Sequence, residues 1–172
     1  MKNPIAPTAI ERSLVEDSFI VSKTDPKGRI TYANPVFMEI SGYAEHELLG
    51  KQHNIVRHPD MPRAVFGLMW DTLKQGREFF GYVKNLAKDG SFYWTFANVT
   101  PSLDAGGHLL GYYSVRRMPK RSALELLGDV YARMCEIEKA EGPNEGPRKS
   151  AAYLTDIVTR EHEDYDRFVL AL

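Results

Sequence analysis

The sequence predicts an α+β fold: a five-stranded antiparallel sheet with helices on one face, extended at its C-terminal end by further helix. Three observations lead there. Two short apolar runs flank the turn Asp25-Pro26-Lys27-Gly28, and a segment of helical spacing lies over Pro62 to Gln75. Three β-rich runs then follow, parted by Lys88-Asp89-Gly90 and by Asp104-Ala105-Gly106-Gly107. Turns of that chemistry join neighbouring strands as hairpins. Two strands, a helical stretch and three more strands close naturally as one sheet covered on one face.

Taken in order, Pro7 to Val15 reads as a short helix with Thr8 as its cap and Ile10, Leu14 and Val15 on one side. Phe19 to Thr24 and Arg29 to Ala33 are the first two strands. After Asn34-Pro35 the spacing turns helical through Phe37 and Ile40, and Gly42 punctuates the end. A second helical piece, Glu45 to Leu49, closes at Gly50. In the helix over Pro62 to Gln75, Val65, Phe66, Met69, Trp70 and Leu73 form the apolar face, and Gly76 stands at the C-cap. Glu78 to Leu86, Ser91 to Ser102 and His108 to Arg116 complete the sheet.

Pro119 marks a boundary. From Ser122 to Ala140, Leu124, Leu127, Tyr131 and Met134 recur at three and four, a helical stripe. EGPNEGPRK, Glu141 to Lys149, reads as a breaker-rich linker, and a second amphipathic helix follows from Ser150 through Leu154, Ile157, Val158, Tyr165, Phe168 and Val169. The two helices either pair as an antiparallel hairpin or zip against a second copy of the chain. The division is thus 1–18 as an N-terminal cap segment, 19–118 as the principal domain and 119–172 as a helical extension.

Composition narrows the function. With 22 Lys+Arg against 23 Asp+Glu in 172 residues, the formal charge is -1, which is no footprint for nucleic acid. Cys135 is the single cysteine, so neither an internal disulfide nor a cysteine-based zinc site is open to the chain, as suits a reducing, cytoplasmic setting. No apolar run approaches the roughly 18 residues of a membrane span. Asp60 beside His58 suggests acid–base chemistry, but no nucleophile, metal constellation or Gly-rich phosphate loop accompanies the pair, and the reading is non-enzymatic.

HNIVRHPDMP, His53 to Pro62, sets two histidines, an arginine, an aspartate and two prolines between helical pieces. Proline fixes its own φ and restricts the residue before it, so this loop presents polar groups on a stiffened backbone, which lowers the entropic cost of holding a ligand. The plain alternative is a helix start, with Asp60 helping to cap and Arg57 solvated.

These elements, and the run ITYANPVFMEISGYAEHELLGKQHNIVRHPDMPRAVFGLMW followed by VKNLAKDGSFYW and GYYSVR, resemble a PAS sensor domain, and more narrowly the FAD-binding PAS domain of bacterial aerotaxis receptors. The resemblance covers about Phe19 to Arg117. It implies a sheet cradling FAD against its helical side and a redox or energy-status sensor that acts on a downstream signalling protein or domain; the stripe of Leu124, Leu127, Tyr131 and Met134, which needs covering, points to a homodimer. The family's FAD-binding Arg, His and Asp fall on Arg57, His58 and Asp60. Asn34 and Asn85 are implied as polar contacts, and Phe66, Trp70 and Phe79 as ring contacts. A guanidinium suits phosphate, and an amide can meet a mixed donor–acceptor ring edge. Where the family commonly has tryptophan, Phe79 keeps a stacking face without the indole donor.

Two other readings compete. A haem-binding PAS domain would take its axial ligand from His53 or His58. A cofactor-free PAS module would use its surfaces only to dimerise or dock a partner. Cys135, in the helical extension, lies away from the expected pocket and reads as a half-buried apolar residue.

Overall fold

A computed structural model describes residues 5–172. Strands β1 (Ile20–Thr24), β2 (Ile30–Ala33), β3 (Phe79–Leu86), β4 (Phe92–Leu103) and β5 (Leu109–Arg117) form one antiparallel sheet in the order β2-β1-β5-β4-β3. The expected sheet is therefore the observed one. Between β2 and β3 run α1 (Pro35–Ser41), α2 (Glu45–Leu48), a 3-10 turn over His53–Val56 and α3 (Arg63–Lys74). After the sheet come α4 (Arg121–Glu161) and α5 (Tyr165–Ala171).

Local chemistry accounts for the joints. Asp25 Oδ1 accepts from the backbone N–H of Lys27 and of Arg29 at 2.8 and 2.9 Å, closing the first hairpin as a side-chain turn. Asn34 caps α1 by accepting from Phe37 N–H at 3.1 Å, Pro35 opens the helix, and Gly42 in the left-handed region ends it.

The N-terminal segment is a correction. Instead of a helix over Pro7 to Val15, the chain is extended and lies beside the start of β4: Arg12 N–H donates to Phe92 O at 2.7 Å and Phe92 N–H to Ile10 O at 2.9 Å. Thr8 donates its N–H to Gly90 O rather than capping a helix. A Cβ on Gly90 would meet Ala6 O at 2.4 Å, so glycine at this turn makes room for the segment.

The helical extension carries a second correction. The expected linker is helical apart from Gly142, the one residue with non-helical φ and ψ inside α4. Pro143 and the residues after it belong to the second arm, since proline is compatible with the first turn of a helix. The arms approach so closely that a Cβ on Gly146 would lie 2.7 Å from Glu138 Cα. A further break at His162 separates α5, so the apolar pattern from Ser150 to Val169 spans two helices.

This hairpin packs on its own sheet. Leu127, Val130, Tyr131, Met134, Leu154, Val158, Phe168 and Val169 are buried in one cluster with Tyr82, Phe96, Val65 and Leu73. Tyr131 donates its hydroxyl to Tyr82 O at 3.0 Å, and Tyr165 stacks on Phe79 at 5.8 Å. The stripe that needed covering packs within the chain, with Leu124 half-buried and Leu126 of the same helix exposed. Among the described residues no helix is long and apolar enough to cross a membrane.

Candidate functional site

The concave face of the sheet and the segment from β2 to α3 enclose a cavity of about 240 Å³. Alternation decides which strand residues reach it: Phe79, Val83 and Asn85 from β3, Ala97 and Val99 from β4, Tyr112, Ser114 and Arg116 from β5, and Thr24 from β1. From α3, Phe66, Met69, Trp70 and Leu73 face them at helical spacing.

The fourth wall is the stretch that opens HNIVRHPDMP. It is fastened at both free edges of the sheet. At the β2 edge, Ile30 N–H donates to Lys51 O at 2.8 Å and His53 N–H to Gly28 O at 3.0 Å. At the β3 edge, Arg57 pairs with Asn85 as an isolated antiparallel bridge. Two residues singled out in the sequence therefore meet on adjacent backbone. Arg57 lays its guanidinium 4.6 Å over the Phe66 ring and donates to Met61 O at 3.0 Å, which leaves other donors of the fork for the cavity. Burial lowers its pKa. Asn85 is buried, and its amide nitrogen makes only long contacts, 3.3 Å to Thr95 Oγ1 and 3.4 Å to Val83 O.

Arg57, Asn85, Phe66, Trp70 and Phe79 thus line one cavity, and three expected residues stand off it. Asn34 is spent on structure: its Oδ1 accepts from Val21 N–H and Phe37 N–H, and its Nδ2 donates to Phe19 O. His58 is buried on the far side of the loop, where its Nδ1 accepts from Asp60 N–H at 3.1 Å, an acceptor role that places the ring proton on Nε2. Burial first, then Lys84, bring its pKa down to about 4, so the ring is neutral. Asp60 points outward, paired with Lys84 Nζ at 2.8 Å.

A second cavity of about 540 Å³ lies against that far side, lined by Asn54, Arg57, His58, Pro59, Arg63, Cys135, Glu138 and Lys139 among others. It shares Asn54 and Arg57 with the first. Cys135 is off the sheet cavity, as expected, yet it touches the loop: its Sγ is 3.1 Å from Asp60 O, and burial pushes the thiol up to about 11. Glu138 accepts from Arg63 N–H and Ala64 N–H at 2.9 and 3.0 Å and so caps α3 from a distant helix.

Two further polar residues meet at the cavity: His53, weighed in the sequence only as a haem ligand, and Arg116, which was not singled out there. His53 stacks on Phe37 at 5.5 Å and faces Ser22 Oγ at 3.1 Å through Nε2, and burial with the nearby Arg116 cation holds its pKa down to about 3. Arg116 is 9% exposed, donates to Ser22 Oγ at 3.3 Å, and has no partner for Nε. Ser22 Oγ thus accepts from Arg116 and also meets His53 Nε2, a contact whose donor is set by the histidine tautomer. The available signal was alternation: Tyr112, Ser114 and Arg116 share a face that Arg117 does not. No Asp or Glu lines the sheet cavity, and the described residues hold no His, Cys, Asp and Glu cluster fit for a metal.

The two lowered histidine pKa values have a sign. Both rings are neutral in the folded protein and charge near 6.5 when unfolded, so the unfolded state binds more protons between about pH 3 and 6.5. Stability is complete above pH 6.5 and falls as the pH drops through that window, by at most about 1.4 kcal/mol per pH unit for each histidine. His53→Gln is expected to flatten the acid limb of urea midpoint against pH; an unchanged slope would show that His53 is not held neutral.

Comparison with known proteins agrees with this architecture. Residues 30–116 match the family model described as the PAS fold. The aerotaxis receptor of Escherichia coli (strain K12) is 48% identical over 103 residues, 60% of this chain and 20% of that protein. The nitrogen fixation regulatory protein of Klebsiella pneumoniae is 34% identical over 106 residues, 61% of this chain and 21% of that protein. The chain thus spans about a fifth of the length of these relatives. Among solved structures, a light-oxygen-voltage domain studied through a flavin analogue superposes with TM-score 0.57 at 23% identity, covering 64% of this chain and 83% of that one, a likeness of fold.

Proposed function

Because this chain belongs to the PAS family, we propose that it is a flavin-binding sensor module that takes FAD against the sheet and reports its redox state to a signalling partner through the C-terminal hairpin. The observation that carries the reading is the chemistry of the cavity. Its walls are ring faces and aliphatic groups, yet Thr24 Oγ1, Ser114 Oγ and Arg116 Nε are buried there without partners. Buried polar atoms are normally satisfied, so these three ask for a ligand that brings acceptors to a flat, apolar slot. A flavin ring has that character. The adjoining cavity, which shares Arg57 and adds Arg63, Lys139 and His58, favours a ligand with a second, phosphate-bearing half, hence FAD. Haem is disfavoured by the same geometry: His53 Nε2 is engaged by Ser22, and His58 does not reach the sheet cavity.

When bound, the flavin would supply reversible electron transfer at a potential tuned by the surrounding groups. Phe66, Trp70 and Phe79 offer ring contacts, and Arg57 serves the junction of the two cavities. Arg57→Ala is expected to weaken FAD binding roughly 10- to 150-fold, the equivalent of about 1.5–3 kcal/mol for a hydrogen bond to a charged group, as read by fluorescence titration. Unchanged affinity would remove Arg57 from the site.

Asn85 carries the signal outward. Its amide can present either a donor or an acceptor, so a change in what the ring edge demands reorients it. The same strand gives Tyr82 O to Tyr131 of α4 and Phe79 to Tyr165 of α5. Couplings of about 1–3 kcal/mol suffice for allostery. With Asn85→Ala, the difference in hydrogen exchange of α4 between oxidised and reduced protein is expected to vanish; a difference that persists would place the switch elsewhere.

The deciding experiment is an absorption spectrum of the purified chain before and after dithionite, with the released ligand identified by mass. A flavin spectrum that bleaches, with FAD recovered, supports the reading. A Soret band, or a colourless protein that FAD cannot reconstitute, overturns it and leaves a haem sensor or an interaction scaffold respectively.

A further inference from the structure

Arg116 is an uncommon object: a guanidinium 91% withdrawn from solvent with no carboxylate beside it. A buried charge is costly unless it is paired, and removing the partner of a buried pair is among the more damaging changes a protein can suffer. Here the groups facing Arg116 can be named from every side. β1 offers Ser22, which accepts one of its donors, and the 3-10 turn offers His53, which is neutral. β4 offers Ala97 as its cross-strand neighbour and, nearby, Tyr93, whose phenol burial keeps protonated. Ser114 lies two residues away on its own strand, and across the cavity are Asn85 and a second guanidinium, Arg57. None of these carries a negative charge. Arg116 therefore stands against nothing anionic supplied by the protein, whereas Arg57 feels the Glu138 carboxylate.

We propose that Arg116 sets the charge of the reduced cofactor, holding the reduced flavin as an anion so that electrons enter the site without a matching number of protons. This rests on the flavin reading above. In the step, an external donor of the dithionite or reduced-viologen class gives up electrons. The flavin ring accepts them, and at one ring nitrogen no bond to hydrogen forms. The proton that a neutral reduced ring would have taken stays in the solvent, and the Arg116 guanidinium balances the charge. Ser114 and Thr24, whose hydroxyls also lack partners, are free to turn their O–H groups toward the same acceptors. His53 does not supply the proton, because its buried ring is uncharged.

The experiment counts protons against electrons. The full chain loaded with FAD is titrated reductively in weak buffer with a pH-indicator dye, and its midpoint potential is followed between about pH 5 and 6, where both buried histidines are already largely neutral in the folded protein and a reduced flavin without a nearby cation would hold its full complement of protons. The wild-type protein is expected to take up fewer protons than electrons. Arg116→Gln is expected to take up as many protons as electrons, with a steeper fall of potential with pH, and Arg116→Lys to keep the wild-type count. A wild-type protein that takes up one proton for every electron overturns the inference while leaving FAD binding intact, whether or not the variants fold. Equal counts in wild type and Arg116→Gln overturn it as well. A wild-type protein that cannot be loaded with FAD overturns the flavin reading itself, and this inference with it.

Discussion

Ala97→Phe is expected to abolish FAD binding while leaving the ligand-free protein folded, and even to raise its stability by up to about 2 kcal/mol. Ala97 is buried on β4, paired with Gly81 on one side and Arg116 on the other, and its methyl forms part of the cavity floor. In a filled core an added phenyl ring forces neighbours off their rotamers and costs about 1–3 kcal/mol. Here it enters open space lined by Phe66, Met69 and Val99, so the usual penalty turns into apolar burial. Two readouts must therefore move in opposite senses: isothermal titration with FAD goes silent, and the urea midpoint of the apo protein stays or rises. A variant that still binds FAD at wild-type affinity would show that the ligand lies elsewhere.

Met134→Ala is expected to cost about 2–5 kcal/mol, a large part of the 5–15 kcal/mol typical of a domain. Met134 is fully buried in a cluster that joins α4 to Tyr82 and Phe96 of the sheet and to Val65 and Leu73 of α3. Because extension and sheet share that cluster, and Glu138 caps α3 from α4, the loss is expected as one displaced cooperative transition in urea. Two separate transitions would mean that the extension folds on its own and that the sheet does not depend on it.

How much of this was legible in the sequence depends on whether the deciding interaction was local. The hairpin at Asp25–Gly28, the change to helix after Asn34-Pro35 and the helix through Val65, Phe66 and Leu73 each obey signals contained within a few residues, and each is found. The N-terminal segment is different. Thr8 and the spacing of Ile10 and Leu14 suit a helix, but the backbone is claimed by Gly90 and Phe92, some eighty residues on. The breakers in EGPNEGPRK misled in the opposite direction, because only Gly142 leaves the helix and the prolines sit where a new helix tolerates them. In the site, Asn85 and Arg57 are far apart in the chain and adjacent in space. Asn34 was an expected ligand contact, and its side-chain oxygen is instead taken by the cap of α1. Arg116 was passed over because a basic pair at a strand end reads as solvated, while the alternation that turns one of the two inward was there to be counted.

The backbone bridges at Gly28 and at Asn85 bear on time rather than on affinity. A loop tied to both margins of an open sheet narrows the cleft, so a dinucleotide held there would leave more readily once one of these backbone ties opens. On the flavin reading proposed above, dissociation would then be coupled to local opening of that backbone-bonded segment. On the same reading, such a module would keep its cofactor through many cycles of reduction and oxidation, and would answer to changes in electron supply rather than to changes in the concentration of free flavin.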